Sequence, residues 1–266
     1  MRVIAKKRLG QNFLADKNMQ GKIIASFGAK EKDRVLEIGP GEGALTGGLL
    51  EKRLNVTAIE LDNRLFKLLA DKFSGYPNLT LLNQDILKTD IRPLAAGQKI
   101  KVIGNIPYYI TTPIIEHLFN SREVISDVYL TVQKEFAQRV TASSGTKKFG
   151  ALSCFVQYYS EPKILFFIKK DCFCPIPKVD SAFLHLKILD KPKVEVADEA
   201  LFFKLVRTCF QQRRKVLSNT LKSLIPKEDI SYFCRENALK PNVRAEELSL
   251  DIFAKLANHK FFQKKG

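Results

Sequence analysis

The stretch Val35-Leu36-Glu37-Ile38-Gly39-Pro40-Gly41-Glu42-Gly43 decides how the chain reads. A short apolar run ends in a glycine-rich turn and leads into the helical pattern Leu45–Leu50. Such a turn between strand and helix lets a ligand approach the backbone closely. Its spacing leaves two readings open. Gly39, Gly41 and Ala44 satisfy a relaxed G-x-G-x-x-A fingerprint, and Gly39, Gly41 and Gly43 satisfy G-x-G-x-G. A tight turn with no ligand fits equally well.

Outward from this stretch, Val56–Ile59, Leu79–Leu82, Ile100–Ile103 and Val128–Val132 repeat the short apolar run and read as buried strands. Leu65–Phe73, Ile114–Phe119 and Phe136–Val140 read as the helices between them. Alternation of this kind predicts an α/β fold, a parallel sheet with helices on both faces. Ser153–Tyr159, Ile164–Ile168 and Ala182–Leu189 read as further strands that finish the sheet with antiparallel members. Pro175 and Pro177 mark a stiff loop among them. From about Pro192 the spacing turns helical, with Leu201, Leu205, Phe210, Val216 and Leu221, then Ile230–Phe233 and Ile252–Leu256. The expected organisation is a sheet domain over residues 1–190 and a smaller helical domain over 191–266.

The 266 residues are 45% hydrophobic, enough for a sizeable core. Formal net charge is +16, which points to a polyanionic partner. No apolar run is long enough to span a bilayer, so the polyanion is read as nucleic acid and no membrane partner is expected. The odd cysteine count argues against a disulfide framework, and His117, His185 and His259 stand too far apart to suggest a metal site. The N-terminal MRVIAKKRLGQNF is basic without an apolar signal core, and a reducing cytoplasm is expected.

Glu60 ends the second strand, where a carboxylate can accept hydrogen bonds from both hydroxyls of a ribose. That suits NAD and S-adenosylmethionine alike. Asp85 follows the third strand, where it can accept from an adenine amino group or simply cap a turn. No candidate set for a nicotinamide is evident, so Glu60 and Asp85 together favour S-adenosylmethionine. Asn105-Ile106-Pro107-Tyr108 ends the fourth strand. An amino nitrogen on an aromatic base is a poor nucleophile because its lone pair is conjugated into the ring. A site helps by accepting both N–H bonds, through the Asn105 side chain and a backbone carbonyl that Pro107 holds in place. Tyr108 can stack on the base. Phe173, ahead of the proline loop, is read equally well as a ring over an extruded base or as core.

Five segments carry a resemblance to a known family. They are Leu9-Gly10-Gln11-Asn12-Phe13-Leu14, Glu37–Thr46, Gly104–Tyr108, Phe173-x-Pro175-x-Pro177-x-Val179-x-Ser181, and Phe210-Gln211-Gln212-Arg213-Arg214-Lys215. Over nearly its whole length the chain resembles the small-subunit ribosomal RNA adenine dimethyltransferases, the family of the kasugamycin-sensitivity methylase. The resemblance implies a Rossmann-like class I methyltransferase sheet with a C-terminal all-helical domain. It implies dimethylation of N6 on two adjacent adenines near the 3′ end of small-subunit rRNA, within an immature ribosomal particle. By position it implies cofactor contacts at Asn12, Leu14, Gly39, Gly41, Glu60, Asp85 and Asn105, and target-base contacts at Asn105, Pro107, Tyr108 and Phe173. Ile106 departs from the family's usual Leu and matches the macrolide-resistance methylases of large-subunit rRNA, a volume-conserving change.

Two other functions fit the residues less fully: a large-subunit adenine methylase, and a nucleic-acid-binding assembly or transcription factor with an idle site. Residues 191–266 hold 16 Lys and Arg against nine Asp and Glu, denser positive charge than the rest. Arg213, Arg214 and Lys215 are expected on an amphipathic helix there, as RNA contacts. Nothing suggests an obligate dimer, and a monomer is expected.

Overall fold

A computed structural model describes Ala5, Lys6 and Leu9–Gln263. In chain order its elements begin β1 (Phe13–Leu14), α1 (Lys17–Ser26), β2 (Arg34–Ile38), α2 (Thr46–Glu51), β3 (Asn55–Ile59), α3 (Asn63–Lys72), β4 (Leu79–Leu82), α4 (Arg92–Ala95) and β5 (Ile100–Asn105). They continue α5 (Thr111–Phe119), β6 (Ile125–Gln133), α6 (Lys134–Val140), α7 (Ala151–Tyr159), β7 (Ser160–Ile168), β8 (Phe173–Cys174) and β9 (Ser181–Ile188). The chain ends in α8 (Glu199–Gln211), α9 (Leu217–Thr220), α10 (Lys227–Glu236), α11 (Leu250–Ala257) and α12 (Lys260–Gln263). Packing divides it into two compact units, residues up to 137 with 161–190, and residues 138–160 with 191 onward.

The first unit is built on a seven-stranded sheet of order β4-β3-β2-β5-β6-β9-β7. Strands β2 to β6 pair in parallel, and β9 runs antiparallel to β6. The parallel strands are apolar without alternation because both faces are covered: Val35, Leu36 and Ile38 are all buried, as are Ile100, Val102 and Ile103. On one face Ile23, Phe27, Leu49 and Leu69 from α1 to α3 pack on Val56, Ala58, Tyr129 and Phe183. Phe27 meets Tyr129 edge-on at 5.0 Å between ring centres. Each such side chain contributes about 1.5–3 kcal/mol of burial.

The central pair β2 and β5 approach so closely that only glycine fits at 104. A Cβ there would lie 2.8 Å from the Ile38 carbonyl oxygen. That places the end of β2, where the glycine turn starts, directly beside the end of β5, where Asn105 sits. A separate two-stranded ribbon pairs β1 with β8 antiparallel, Leu14 opposite Phe173.

The second unit is helical. Phe202, Leu205, Val206 and Cys209 form the buried stripe of α8, at the spacing of one helix face. Tyr158 of α7 lies 5.0 Å from Phe202 and 5.1 Å from Phe203. Residues 138–160, read from the sequence with the sheet domain, pack in this unit.

Two local readings change. Ser153–Tyr159 is helical, not a strand. Ser153 Oγ accepts from the Gly150 amide at 3.0 Å and donates to the Arg139 carbonyl at 2.6 Å, which fixes the first turn of α7. Arg213, Arg214 and Lys215 lie beyond the end of α8, in the turn before α9, and not on a helix. No side chain in Gln212–Lys215 is buried, so no packing holds a helix there.

Gly104→Ala is expected to lower the unfolding free energy by at least about 2 kcal/mol, because a backbone carbonyl cannot give way as a side-chain tip can. Urea denaturation measures it, and a shift below ~0.5 kcal/mol would show that β2 and β5 separate cheaply.

Candidate active site

A cleft in the first unit opens at the carboxyl ends of β2 to β5, lined by Leu9–Leu14, the glycine turn, Glu60, Gln84–Ile86 and Asn105–Ile110. Gly39 has a φ of +63° and its Cβ position faces open space, so the turn offers bare backbone to a ligand. Glu60, buried at the end of β3, accepts from the Gly41 amide at 3.1 Å through Oε2 and from the Asp62 amide at 2.8 Å through Oε1. A carboxylate has about four acceptor sites, so Glu60 retains capacity for a ribose hydroxyl. Burial raises the Glu60 pKa, and its backbone hydrogen bonds oppose that rise.

Asp85 caps a turn and lines the cleft. Its Oδ1 accepts from the Leu87 amide at 3.0 Å. Asn105 Nδ2 lies 2.9 Å from the Asn12 carbonyl oxygen. A carbonyl only accepts, so the amide nitrogen must face it and the Asn105 side-chain oxygen is left as an acceptor. Pro107 is extended (φ −60°, ψ 133°) and its carbonyl takes the Ile110 amide at 3.2 Å. Tyr108 shares a 2.6 Å hydrogen bond with Ser181 Oγ, which anchors the ring. Burial raises the Tyr108 pKa and the Ser181 bond opposes the rise, so the phenol stays protonated at neutral pH.

The structure gathers Asn12, Leu14, Gly39, Gly41, Glu60, Asp85, Asn105, Pro107 and Tyr108 around one cleft. It does not bring Phe173 there. That ring is buried in the core cluster with Leu14, Ile168 and Phe183, because β8 is held down by its pairing with β1. Arg213 Nη2 is engaged by the Lys147 carbonyl at 2.7 Å, the Phe149 carbonyl at 3.0 Å and Glu246 at 3.2 Å, a brace within the second unit. Arg214 and Lys215 are exposed.

Two residues were missed. The sequence does not single out Ser181 for a role, because its contact with Tyr108 depends on the pairing of β6 and β9. Glu37 has a sequence signal, a lone charge inside the apolar run Val35–Ile38. It is buried, accepts from Thr46 Oγ1 at 2.7 Å, and burial pushes its pKa up to about 7.

The charged side chains lining the cleft are Glu37, Glu42, Glu60 and Asp85, with no lysine or arginine among the described residues that line it. An acidic cleft suits a sulfonium-bearing ligand and opposes the diphosphate of a dinucleotide. With a ribose acceptor at Glu60 and a second acceptor at Asp85, the donor and acceptor set fits S-adenosylmethionine. Among the described residues no cluster of three His, Cys, Asp or Glu could hold a metal ion, and no helix is long and apolar enough to cross a membrane.

The family model for ribosomal RNA adenine dimethylases matches residues 3–261. The chain belongs to that family. Its members are S-adenosylmethionine-dependent methyltransferases, and the cleft carries the acceptors such an enzyme needs. Among sequence relatives, the ribosomal RNA small subunit methyltransferase A of Caldanaerobacter subterraneus is 44% identical over 96% of both chains. The protein of the same name from Streptococcus sanguinis is 43% identical over 95% of this chain and 91% of that one. Among solved structures, the 23S rRNA methyltransferase ErmE superposes with a TM-score of 0.75 at 27% identity, covering 92% of this chain and 98% of that one. A dimethyladenosine transferase from Plasmodium falciparum gives 0.74 at 27% identity, covering 92% and 95%. The class I α/β fold and the enzyme class read from the sequence both hold.

The raised pKa of Glu37 makes a pH prediction. The folded enzyme binds this proton more tightly than the unfolded chain, whose value is near 4.5. The stabilisation is complete below that value and is lost as pH rises through about 7. Its size is up to about 3 kcal/mol. Glu37→Gln should therefore gain stability relative to the parent as pH rises from 5 to 8, measured by urea denaturation without cofactor. A pH-independent difference would show an ordinary glutamate.

Asp85→Ser keeps a capping oxygen for the Leu87 amide and removes the second carboxylate oxygen. It should weaken S-adenosylmethionine by ~1–3 kcal/mol with little change in stability. Calorimetry on the folded variant measures the affinity, and an unchanged value would leave Asp85 as a cap alone.

Proposed function

We propose that this enzyme dimethylates N6 of two adjacent adenines near the 3′ end of small-subunit rRNA. The observation that carries the reading is Asn105, turned by the Asn12 carbonyl so that its oxygen is the acceptor in an acidic cleft. The small-subunit target rests on relatives about 44% identical that are named for that subunit, against 27% for the large-subunit enzyme ErmE.

S-adenosylmethionine supplies an activated methyl group. Gly39, Gly41, Glu60 and Asp85 bind it, and Asn12 and Leu14 flank it from the N-terminal segment. Asn105 and the Ile106 carbonyl accept the two N–H bonds of the adenine amino group. The second acceptor is assigned to the Ile106 carbonyl, adjacent to Asn105; the Pro107 carbonyl already takes the Ile110 amide. Tyr108, held by Ser181, stacks on the base. Holding both N–H bonds turns the nitrogen lone pair out of conjugation and toward the methyl group. Both acceptors also stabilise the positive charge that develops on nitrogen. The proton becomes acidic once the methyl is attached, so no strong base is required. After one transfer a single N–H remains, and one acceptor suffices to hold it for the second.

The substrate is an immature small-subunit particle, the enzyme acts as a monomer, and it works in the cytoplasm. In the second unit, Arg214 and Lys215 are the phosphate contacts, with Arg213 bracing their turn. Methyl transfer to small subunits lacking the modification, with large subunits and free DNA as controls, tests the target. Transfer to large subunits alone would overturn it. Asn105→Ala should cut single-turnover methylation at least about a hundredfold in a folded protein. Activity within a few-fold of the parent would remove Asn105 from the chemistry.

A further inference from the structure

The sheet end that carries Tyr108 also carries an exposed aromatic ring among lysines. Phe167, near the end of β7, is 48% exposed, while Phe166 packs against Phe183 in the core. Strand alternation sends the two rings to opposite faces. Lys134 Nζ lies 5.0 Å from the centre of the Phe167 ring. Lys134 directly follows Gln133, which pairs with Ser181 across β6 and β9, and Ser181 holds Tyr108. The Lys134 amide donates to the Asp180 carbonyl at 3.0 Å, and the Lys170 amide to the Asp180 carboxylate at 3.1 Å. Lys169, Lys170 and Lys178 are exposed in the same stretch. Its acids are Asp171 and Asp180, the latter taken up by the Lys170 amide.

A half-exposed phenylalanine beside a lysine is ordinary packing taken alone. Here the ring lies on an edge strand, at the sheet end where Ser181 holds Tyr108 but on the opposite sheet face, within a basic stretch of a strongly basic chain. Aromatic rings set among lysines are how proteins hold single-stranded nucleic acid.

We propose that Phe167 and its lysines dock the single-stranded RNA that flanks the target adenine. The inference rests on the proposed rRNA reading. Extruding an adenine leaves its neighbours without a stacking partner. A neighbouring base stacks on Phe167 in place of the Lys134 ammonium. Lys134, released from the ring, reaches a phosphate, and Lys169 and Lys170 hold the next ones.

The test uses the full-length protein with small ribosomal subunits lacking the two dimethyladenines. Phe167→Ala should raise KM for the particle roughly five- to tenfold. Turnover at saturation, S-adenosylmethionine affinity and melting temperature should be unchanged. Phe167→Tyr should restore KM, and Phe167→Leu, which keeps apolar bulk without a ring, should not. A leucine variant that matches the parent, or a tyrosine variant that fails to recover, overturns the proposal. Replacing Lys169 and Lys170 with alanine should reduce the slope of log affinity against log salt by about 1.4. An unaltered slope removes them from the contact. If the parent enzyme instead methylates only large subunits, the target assignment fails, and the same Phe167 series on that particle still decides the docking surface.

Discussion

The Glu60 carboxylate ties together the parts on which the site depends. It reaches from the end of β3 to the Gly41 amide in the glycine turn and to the Asp62 amide at the start of α3. A buried carboxylate is costly unless its oxygens are satisfied, and these two backbone bonds offset that cost. They also fix the turn before any ligand arrives. A ligand that meets these oxygens therefore finds them already ordered, which spares the cost a mobile loop would impose.

From Glu60 the constraint passes to the N-terminal segment. Asp62 accepts from Lys6 at 3.1 Å and from Arg64 at 2.8 Å, and these partners hold its carboxyl well below the usual range. Gln11 Oε1 accepts the Lys6 amide at 2.7 Å. One residue further, the Asn12 carbonyl sets the orientation of Asn105, and β1 then pairs with β8. Lys6, Gln11, Asn12 and β1 thus connect Asp62 beside Glu60, Asn105 and the strand ahead of the proline loop. The Leu9–Leu14 motif has a structural basis in these contacts.

The parallel strands were legible because both their faces are buried, which leaves continuous apolar runs that few other structures require. The glycine turn, Glu60, Asp85 and Asn105 were legible because they end those strands in succession. Ser153–Tyr159 was not. Cys154, Val156 and Tyr158 are buried and alternate like a strand, which outweighs the local Gly150–Ser153 cap, and the Ser153 bond to Arg139 that completes the first turn of α7 reaches back 14 residues. The bracing of Arg213 was not legible because its partners, two carbonyls and Glu246, come from distant sequence. Phe173 fits two readings in sequence because the β1–β8 pairing that buries it joins residues far apart in the chain. For Arg213 and Phe173 the missing information was a long-range contact that propensity and periodicity do not encode.

Charge divides the work between the cleft and the surface. The chain carries +16, yet among the described residues the charged ones lining its cleft are carboxylates. Acidic walls favour the positive sulfonium and the charge that develops on the methylated nitrogen, and they repel phosphate. An RNA strand drawn to the basic exterior can therefore place a neutral base in the cleft while its backbone stays outside with the lysines. This separation explains why a strongly basic protein keeps its buried carboxylates at the ends of β2 and β3. Replacing Glu37 or Glu60 with a basic residue would alter which part of the nucleotide the cleft admits, as well as what it binds.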